Sequence, residues 1–233
     1  MVAFRKLLIA ALWSGVLAGL LLTAAQSLQV IPTLLQAEAY EQHALATNPP
    51  VQLASAGHSD HAVHAAWQPQ NGWQRTFFTA VANTGLAIGF ALLLGAAMLF
   101  HGREKNWRRG LLWGAAGFAV FFVAPSLGLP PEVPGTAAAQ LGDRQAWWLL
   151  TVLASGSGLA LLVFAGKAPV KLLGVLLLLL PHLIGAPQPQ LQLPVSSAPA
   201  DLAQTFIYAT TLTNAVFWLA LGGLMGLFYR DMA

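Results

Sequence analysis

Six long apolar runs, separated by short polar or charged connections, set the pattern of this chain. They cover residues 7–31, 77–100, 111–129, 147–164, 170–186 and 206–228. Each reaches or approaches the roughly 20 residues that a helix needs to cross the hydrocarbon core of a bilayer. The fifth run is the shortest and contains Pro181. Charge parity keeps it as a crossing: without it, Arg230 changes sides, and Lys167 and Lys171 share a side with Asp201. The pattern predicts an all-α fold, a polytopic transmembrane helical bundle of about six spans. The count falls to five if the amino-terminal segment is cleaved or the fifth run does not cross. Arg5-Lys6 before an apolar run, with small residues at Ala24-Ala25, has the features of a signal peptide. The run continues to Ile31, long for a signal core, so a retained helix is expected. Residues 1–233 read as a single integral-membrane domain with an extracytoplasmic, histidine-bearing loop at 32–72.

Composition agrees: 57% of residues are hydrophobic and 8% charged, against roughly 25% charged in soluble domains. If the spans alternate, one side receives Arg5, Lys6, Arg103, Lys105, Arg108, Arg109, Lys167, Lys171 and Arg230, nine of the 11 basic residues. That excess marks the cytoplasmic face. The other side holds Arg75 and Arg144, the acids Glu38, Glu41, Asp60, Glu132, Asp143 and Asp201, and five of the six histidines. Both termini are therefore expected in the cytoplasm, and the outer face attracts cations. The basic residues sit beside apolar spans, where they orient the protein and meet anionic lipid heads; they do not point to nucleic acid. Trp67, Trp73, Trp147 and Trp148 fall near the outer interface, and Trp107, Trp113 and Tyr229 near the inner one.

The candidate chemistry lies outside. His58, Asp60, His61 and His64 place three imidazoles at three-residue spacing around a carboxylate. They can converge on one metal ion of the Zn, Ni, Co or Cu class if the segment turns helically. Glu38, Glu41 and His43 follow the first span, and the two carboxylates share a helical face. His182 follows Pro181 at the outer end of a short helix. Pro181 gives the Leu177 carbonyl no N–H, and Pro125 does the same to Phe121; helices broken beside a cavity expose oxygens that bind cations. Glu132, between Pro131 and Pro134, stands at a stiff loop tip suited to an entry gate. Asn83 and Asn214, within spans, are placed to hydrogen-bond between helices, with packing the plainer role. Small residues pair at four-residue spacing in Gly15/Gly19, Gly85/Gly89 and Gly222/Gly226, which lets helices approach closely, chiefly within the chain.

Cysteine is absent, so disulfides, thiolate metal sites and cysteine catalysis are excluded. No phosphate-binding loop, H-E-x-x-H or G-x-S-x-G pattern occurs, and nothing in the sequence points to an enzyme.

Several ordered motifs resemble the predicted cobalt transporter subunit family CbtA over nearly the whole length. They are Phe4-Arg5-Lys6-Leu7-Leu8, Ala37-Glu38-Ala39-Tyr40-Glu41, and the histidine stretch before Trp67-Gln68-Pro69. Arg75-Thr76-Phe77-Phe78-Thr79 with Asn83, the run from Gly110 to Phe118, and Ala124-Pro125 through Glu132 continue the likeness. Gln145-Ala146-Trp147-Trp148 and Leu180-Pro181-His182 through Pro187 complete it. The resemblance implies a bacterial inner-membrane protein that supplies cobalt for cobalamin synthesis, beside a small single-span, histidine-bearing partner of the CbtB type. It implies Co2+ or the similar Ni2+ as transported ion, with no permanently bound cofactor. The family is commonly described with five spans. The leading expectation is a divalent-metal uptake subunit that captures its ion outside and passes it by Glu132 and His182 between helices. The alternative is a noncatalytic membrane scaffold that assembles a partner complex.

Overall fold

The computed structural model describes residues 2–47, 69–102, 106–189 and 198–231. Among these residues there are helices and connections and no strands. The first rod joins α1 (Val2–Ala25) to α2 (Ile31–Thr47) through a wide π-turn at Gln26–Val30. It therefore continues well past the predicted end at Ile31 and makes the first part of the 32–72 loop helical. There follow α3 (Trp73–His101), then α4 (Trp107–Phe118), which runs through a second π-turn (Ala119–Val123) into the short α5 (Ala124–Ser126). The chain ends with α6 (Leu141–Phe164), α7 (Ala168–Ile184) and α8 (Ala200–Asp231).

Local chemistry explains the ends. α3 stops at Gly102, whose φ of 67° is open to glycine without strain. Asn106 starts α4: its side chain accepts from the Arg109 N–H at 2.9 Å. The two wide turns share a setting, since each ends two residues before a proline, Pro32 or Pro125. In each the ring is one residue larger than an α-turn: the Ile31 N–H reaches the Gln26 carbonyl, and the Ala124 N–H reaches the Ala119 carbonyl. Proline cannot donate to the preceding turn, and such a turn lets the rod continue around the missing bond.

The rods pack chiefly in antiparallel pairs, α1 with α3, α4 with α8 and α6 with α7, and glycine sets how closely. A Cβ at Gly15 would strike the Ile88 backbone, and one at Gly19 the Thr84 backbone, which locks α1 to α3. Gly110 and Gly114 face Gly222, Gly226 and the Trp218 carbonyl, so α4 and α8 meet backbone to backbone. Gly158 and Gly174 do the same for α6 and α7. In lipid, where apolar side chains gain little by leaving solvent, close backbone approach is a main source of helix association. Gly85 and Gly89 differ: a Cβ at either meets nothing within 4 Å. Of the three predicted glycine pairs, two are used inside the bundle and one lies on an open face.

The main core joins Leu7, Ala11, Ala18 and Leu22 of α1 to Ala87, Ala91, Leu94 and Met98 of α3 and Phe217, Leu221 and Met225 of α8. Most other apolar side chains face outward; Phe100 is 91% exposed and Leu183 80%. Such an apolar exterior fits a bilayer and would aggregate in water. Five helical stretches are long and apolar enough to cross: Phe4–Ala44, Trp73–His101, Trp107–Ser126, Leu141–Phe164 and Ala200–Tyr229. α7 has 17 residues, about 25 Å of helix, at the short limit for a crossing. The fold is an all-α membrane bundle of six rods among the described residues.

The antiparallel pairing gathers Arg5, Lys6, Arg108, Arg109 and Lys167 at one end of the bundle, the basic end. Glu38, Arg75, Glu132, Arg144 and Asp201 gather at the other, the acidic end. There a smaller apolar cluster of Ala37, Val133, Ala198 and Phe206 pins the 127–140 connection onto α2 and α8.

Candidate metal-handling face

Glu38 lies on the first turns of α2, half-buried, and α3 brings Arg75 to it. The pair is bidentate: Arg75 Nη2 donates to Glu38 Oε1 at 2.7 Å and Nη1 to Oε2 at 3.3 Å. Arg75 Nη1 also donates to Asn71 Oδ1 at 2.8 Å. A planar fork meeting a planar carboxylate holds both in one orientation. Glu41, one turn on, is half-exposed. His43 is exposed, and its Nδ1 lies 3.3 Å from the Ala39 carbonyl.

Glu132 is held in the same manner from another direction. Arg144, in the first turn of α6, donates from Nη2 to Glu132 Oε2 at 2.9 Å. The two side chains are 32% and 26% exposed, so the pair is shielded on most sides. Both residues line an open pocket of about 770 Å³, together with Phe121, Phe122, Leu129, Pro130, Leu141 and Trp148. Both arginines of the acidic end are thus bound to carboxylates named as candidate ligands.

His182 occupies a different setting. α7 is not interrupted at Pro181; it continues to Ile184, with Pro181 buried inside it. The Pro181 carbonyl accepts from the Gly185 N–H at 3.0 Å and from Trp147 Nε1 at 3.3 Å. The His182 ring meets Trp147 edge-on, with centroids 6.1 Å apart. His182 is half-buried and does not line the pocket beside Glu132. Trp147 therefore covers the carbonyl next to His182.

His58, Asp60, His61 and His64 lie outside the described residues. Among the described residues no three His, Asp or Glu side chains come together as a metal site. Glu38 and Glu132 are each brought to an arginine, and neither is brought to His182. No spacing rule could reveal these pairings, because Glu38 and Arg75 are 37 positions apart and sit on different helices. One signal was present: Arg75 and Arg144 are the two basic residues on a side otherwise acidic.

The two span asparagines expected to bond between helices divide. Asn83 Nδ2 donates to Thr23 Oγ1 at 3.0 Å and to Gln26 Oε1 at 2.7 Å, joining α3 to the first rod. Asn214, by contrast, bonds within its own helix, to the Thr210 carbonyl at 2.9 Å. At the basic end His101 packs on Phe164, with centroids 4.8 Å apart, and on Trp113 at 6.0 Å.

Residues 4–230 match the family model described as "Probable cobalt transporter subunit (CbtA)". No curated protein and no solved structure matches the chain. A multi-helix membrane bundle whose sequence fits that model almost from end to end leaves one conclusion: the chain belongs to the CbtA family, a family of cobalt transporter subunits.

Proposed function

We propose that this subunit captures Co2+ on the acidic end of the bundle, which faces outward, and delivers it toward a path between helices. The observation that carries the reading is the family match over residues 4–230, joined to the gathering of carboxylates and histidines at one end. Capture would fall to His58, Asp60, His61 and His64, with Glu41 and His43 as further donors. Glu38 and Glu132 enter only when Arg75 and Arg144 give them up. A cation arriving at either carboxylate competes with a guanidinium already in place, which favours a multiply charged ion. His182 would receive the ion after Trp147 turns aside. Imidazole and carboxylate suit Co2+ and Ni2+ alike.

The chain would lie in a bacterial inner membrane with both termini cytoplasmic, an orientation the basic end supports. Its partner would be the small single-span, histidine-bearing subunit of the CbtB type. As a transporter subunit it is read as non-enzymatic. The test is radioactive cobalt uptake by cells carrying the chain with and without that partner. Replacing His58, His61 and His64 together by alanine is expected to lower uptake most at scarce cobalt. Unchanged uptake there removes the capture role.

The open Gly85/Gly89 face supports a second reading, a noncatalytic scaffold that holds a partner helix. On that reading His182→Ala and Glu132→Ala leave uptake intact, while Gly89→Leu abolishes it.

A further inference from the structure

Polar residues within the spans are not spread evenly. In α3 they are Thr76, Thr79, Asn83 and Thr84, after which residues 85–100 carry no polar side chain. In α8 they are Gln204, Thr205, Tyr208, Thr210, Thr211, Thr213 and Asn214, after which residues 215–228 offer only the Trp218 indole. In the first rod Thr23, Gln26, Ser27 and Gln29 stand toward the acidic end. The half of the α1–α3–α8 bundle nearer the acidic end is thus rich in neutral oxygen, while the other half holds Ser14, buried and unpartnered among the described residues, and Trp218.

Register brings these oxygens to one height. At the basic-end side, Gly95 faces both Leu7 and Met225. Twelve residues toward the acidic end, about 18 Å along each helix, lie Asn83 on α3, Thr213 on α8 and Gly19 on α1. The contact of Gly19 with Thr84 confirms the count between α1 and α3. Thr213 lies one turn from Phe217, which packs in the core shared by α1, α3 and α8. It is 2% exposed and so is buried within the bundle.

The hydroxyl of Thr213 has no hydrogen-bond partner among the described residues. Helical threonines in this chain usually return the hydroxyl to the carbonyl four residues back, as Thr23, Thr33, Thr151 and Thr211 do. Thr213 does not. A buried hydroxyl left unpaired is costly, and a water or an ion can satisfy it. Nearby, Thr23 Oγ1 bonds the Gly19 carbonyl at 2.9 Å and accepts from Asn83, whose own amide oxygen is a further neutral donor. Just above, the π-turn at Gln26–Val30 departs from the α-helical bond pattern, and Pro32 gives the Leu28 carbonyl no N–H.

We propose that Gly19, Thr23, Asn83 and Thr213 form an intramembrane binding site for a monovalent hard cation, Na+. None of these four residues carries a carboxylate or imidazole, so a transition-metal dication would find among them neither its preferred donors nor charge to offset it. Uncharged hydroxyl, amide and carbonyl oxygens suit Na+, and irregular helices in membrane bundles supply such oxygens to coupling ions. Toward the basic end, Trp218 closes over Phe90 at 4.7 Å and stacks on Phe121 at 5.3 Å between centroids, so the site is blind from that side. It shares no residue with the proposed cobalt-handling groups and does not rest on that reading.

The test is thermal unfolding of the full-length protein in lipid nanodiscs, in NaCl, KCl or choline chloride at equal ionic strength. NaCl alone is expected to raise the melting temperature, saturably, as a ligand of the native state does. Thr213→Val keeps the shape and removes the unpaired hydroxyl, so it should fold at least as well in choline chloride. Its midpoint for Na+ should rise by about tenfold or more. Ser155, on α6, is also buried and unpartnered among the described residues; Ser155→Ala should keep the full response. Equal melting in the three salts, an equal rise in KCl, an unaltered response in Thr213→Val, or its loss in Ser155→Ala each overturns the proposal.

Discussion

The bundle has two parts built on different terms. One is the four-rod body of α1, α3, α4 and α8; the other is the α6–α7 hairpin. In the body, helices meet at glycine, with backbone against backbone at Gly15, Gly19, Gly110, Gly114 and Gly222. The hairpin has one such contact, between Gly158 and Gly174, and it is internal to the hairpin. Toward the body it relies on side chains: Arg144 on Glu132, Trp147 against Gly128, Trp148 near Phe121, and Phe164 on His101. Backbone contact leaves no rotamer to adjust, whereas side-chain contacts can break and reform singly. The body is therefore locked backbone to backbone, whereas the hairpin, which carries His182, is held to it through side chains.

The contrast can be broken in order of effect. Gly222→Leu forces a side chain into the α4 backbone and is expected to cost about 3 kcal/mol or more, seen as loss of monodisperse protein on size-exclusion chromatography. Trp147→Ala empties a 6%-exposed site between hairpin and body and should cost about 3 kcal/mol. Engineered cysteine cross-links should loosen between α6 and the 127–140 connection while those between α1 and α3 hold. Trp147→Phe keeps the ring and loses the bond to Pro181, with about 1 kcal/mol expected in thermal unfolding. Glu132→Gln should cost about 0.5–1 kcal/mol, as for other partly shielded surface pairs; a double-mutant cycle with Arg144→Gln isolates the pair. Gly89→Leu, on the open face, should change the stability of the isolated chain by less than about 0.5 kcal/mol. If it proves as damaging as Gly222→Leu, glycine contact is not what separates body from hairpin.

What could be read beforehand divides along the same physical line. Span positions follow from summed hydropathy, and the sorting of charge between ends follows from counting crossings. Helix rotation does not. A lipid-facing helix is apolar all round, so no polar face marks which side turns inward; the exposed Leu183 and the buried Leu221 look alike in sequence. Hence the partners of Glu38, Glu132 and Asn83 came only from the packing. The glycine pairs were visible as spacing, but which of them had a neighbour was not. Pro181 was expected to open its helix beside His182, and tertiary contact with Trp147 instead encloses that turn.

The two π-turns have a consequence for length variation. A ring that closes over five residues where four would do holds one surplus residue, looped out at no loss of phase beyond it. Excising a single position from 26–30 should let that stretch revert to regular winding and keep Glu38 facing Arg75. The same excision in the middle of α3 would swing everything beyond it by about 100°. Natural variants of this chain one residue shorter are thus expected to have lost that residue at these two places, where the rod carries slack.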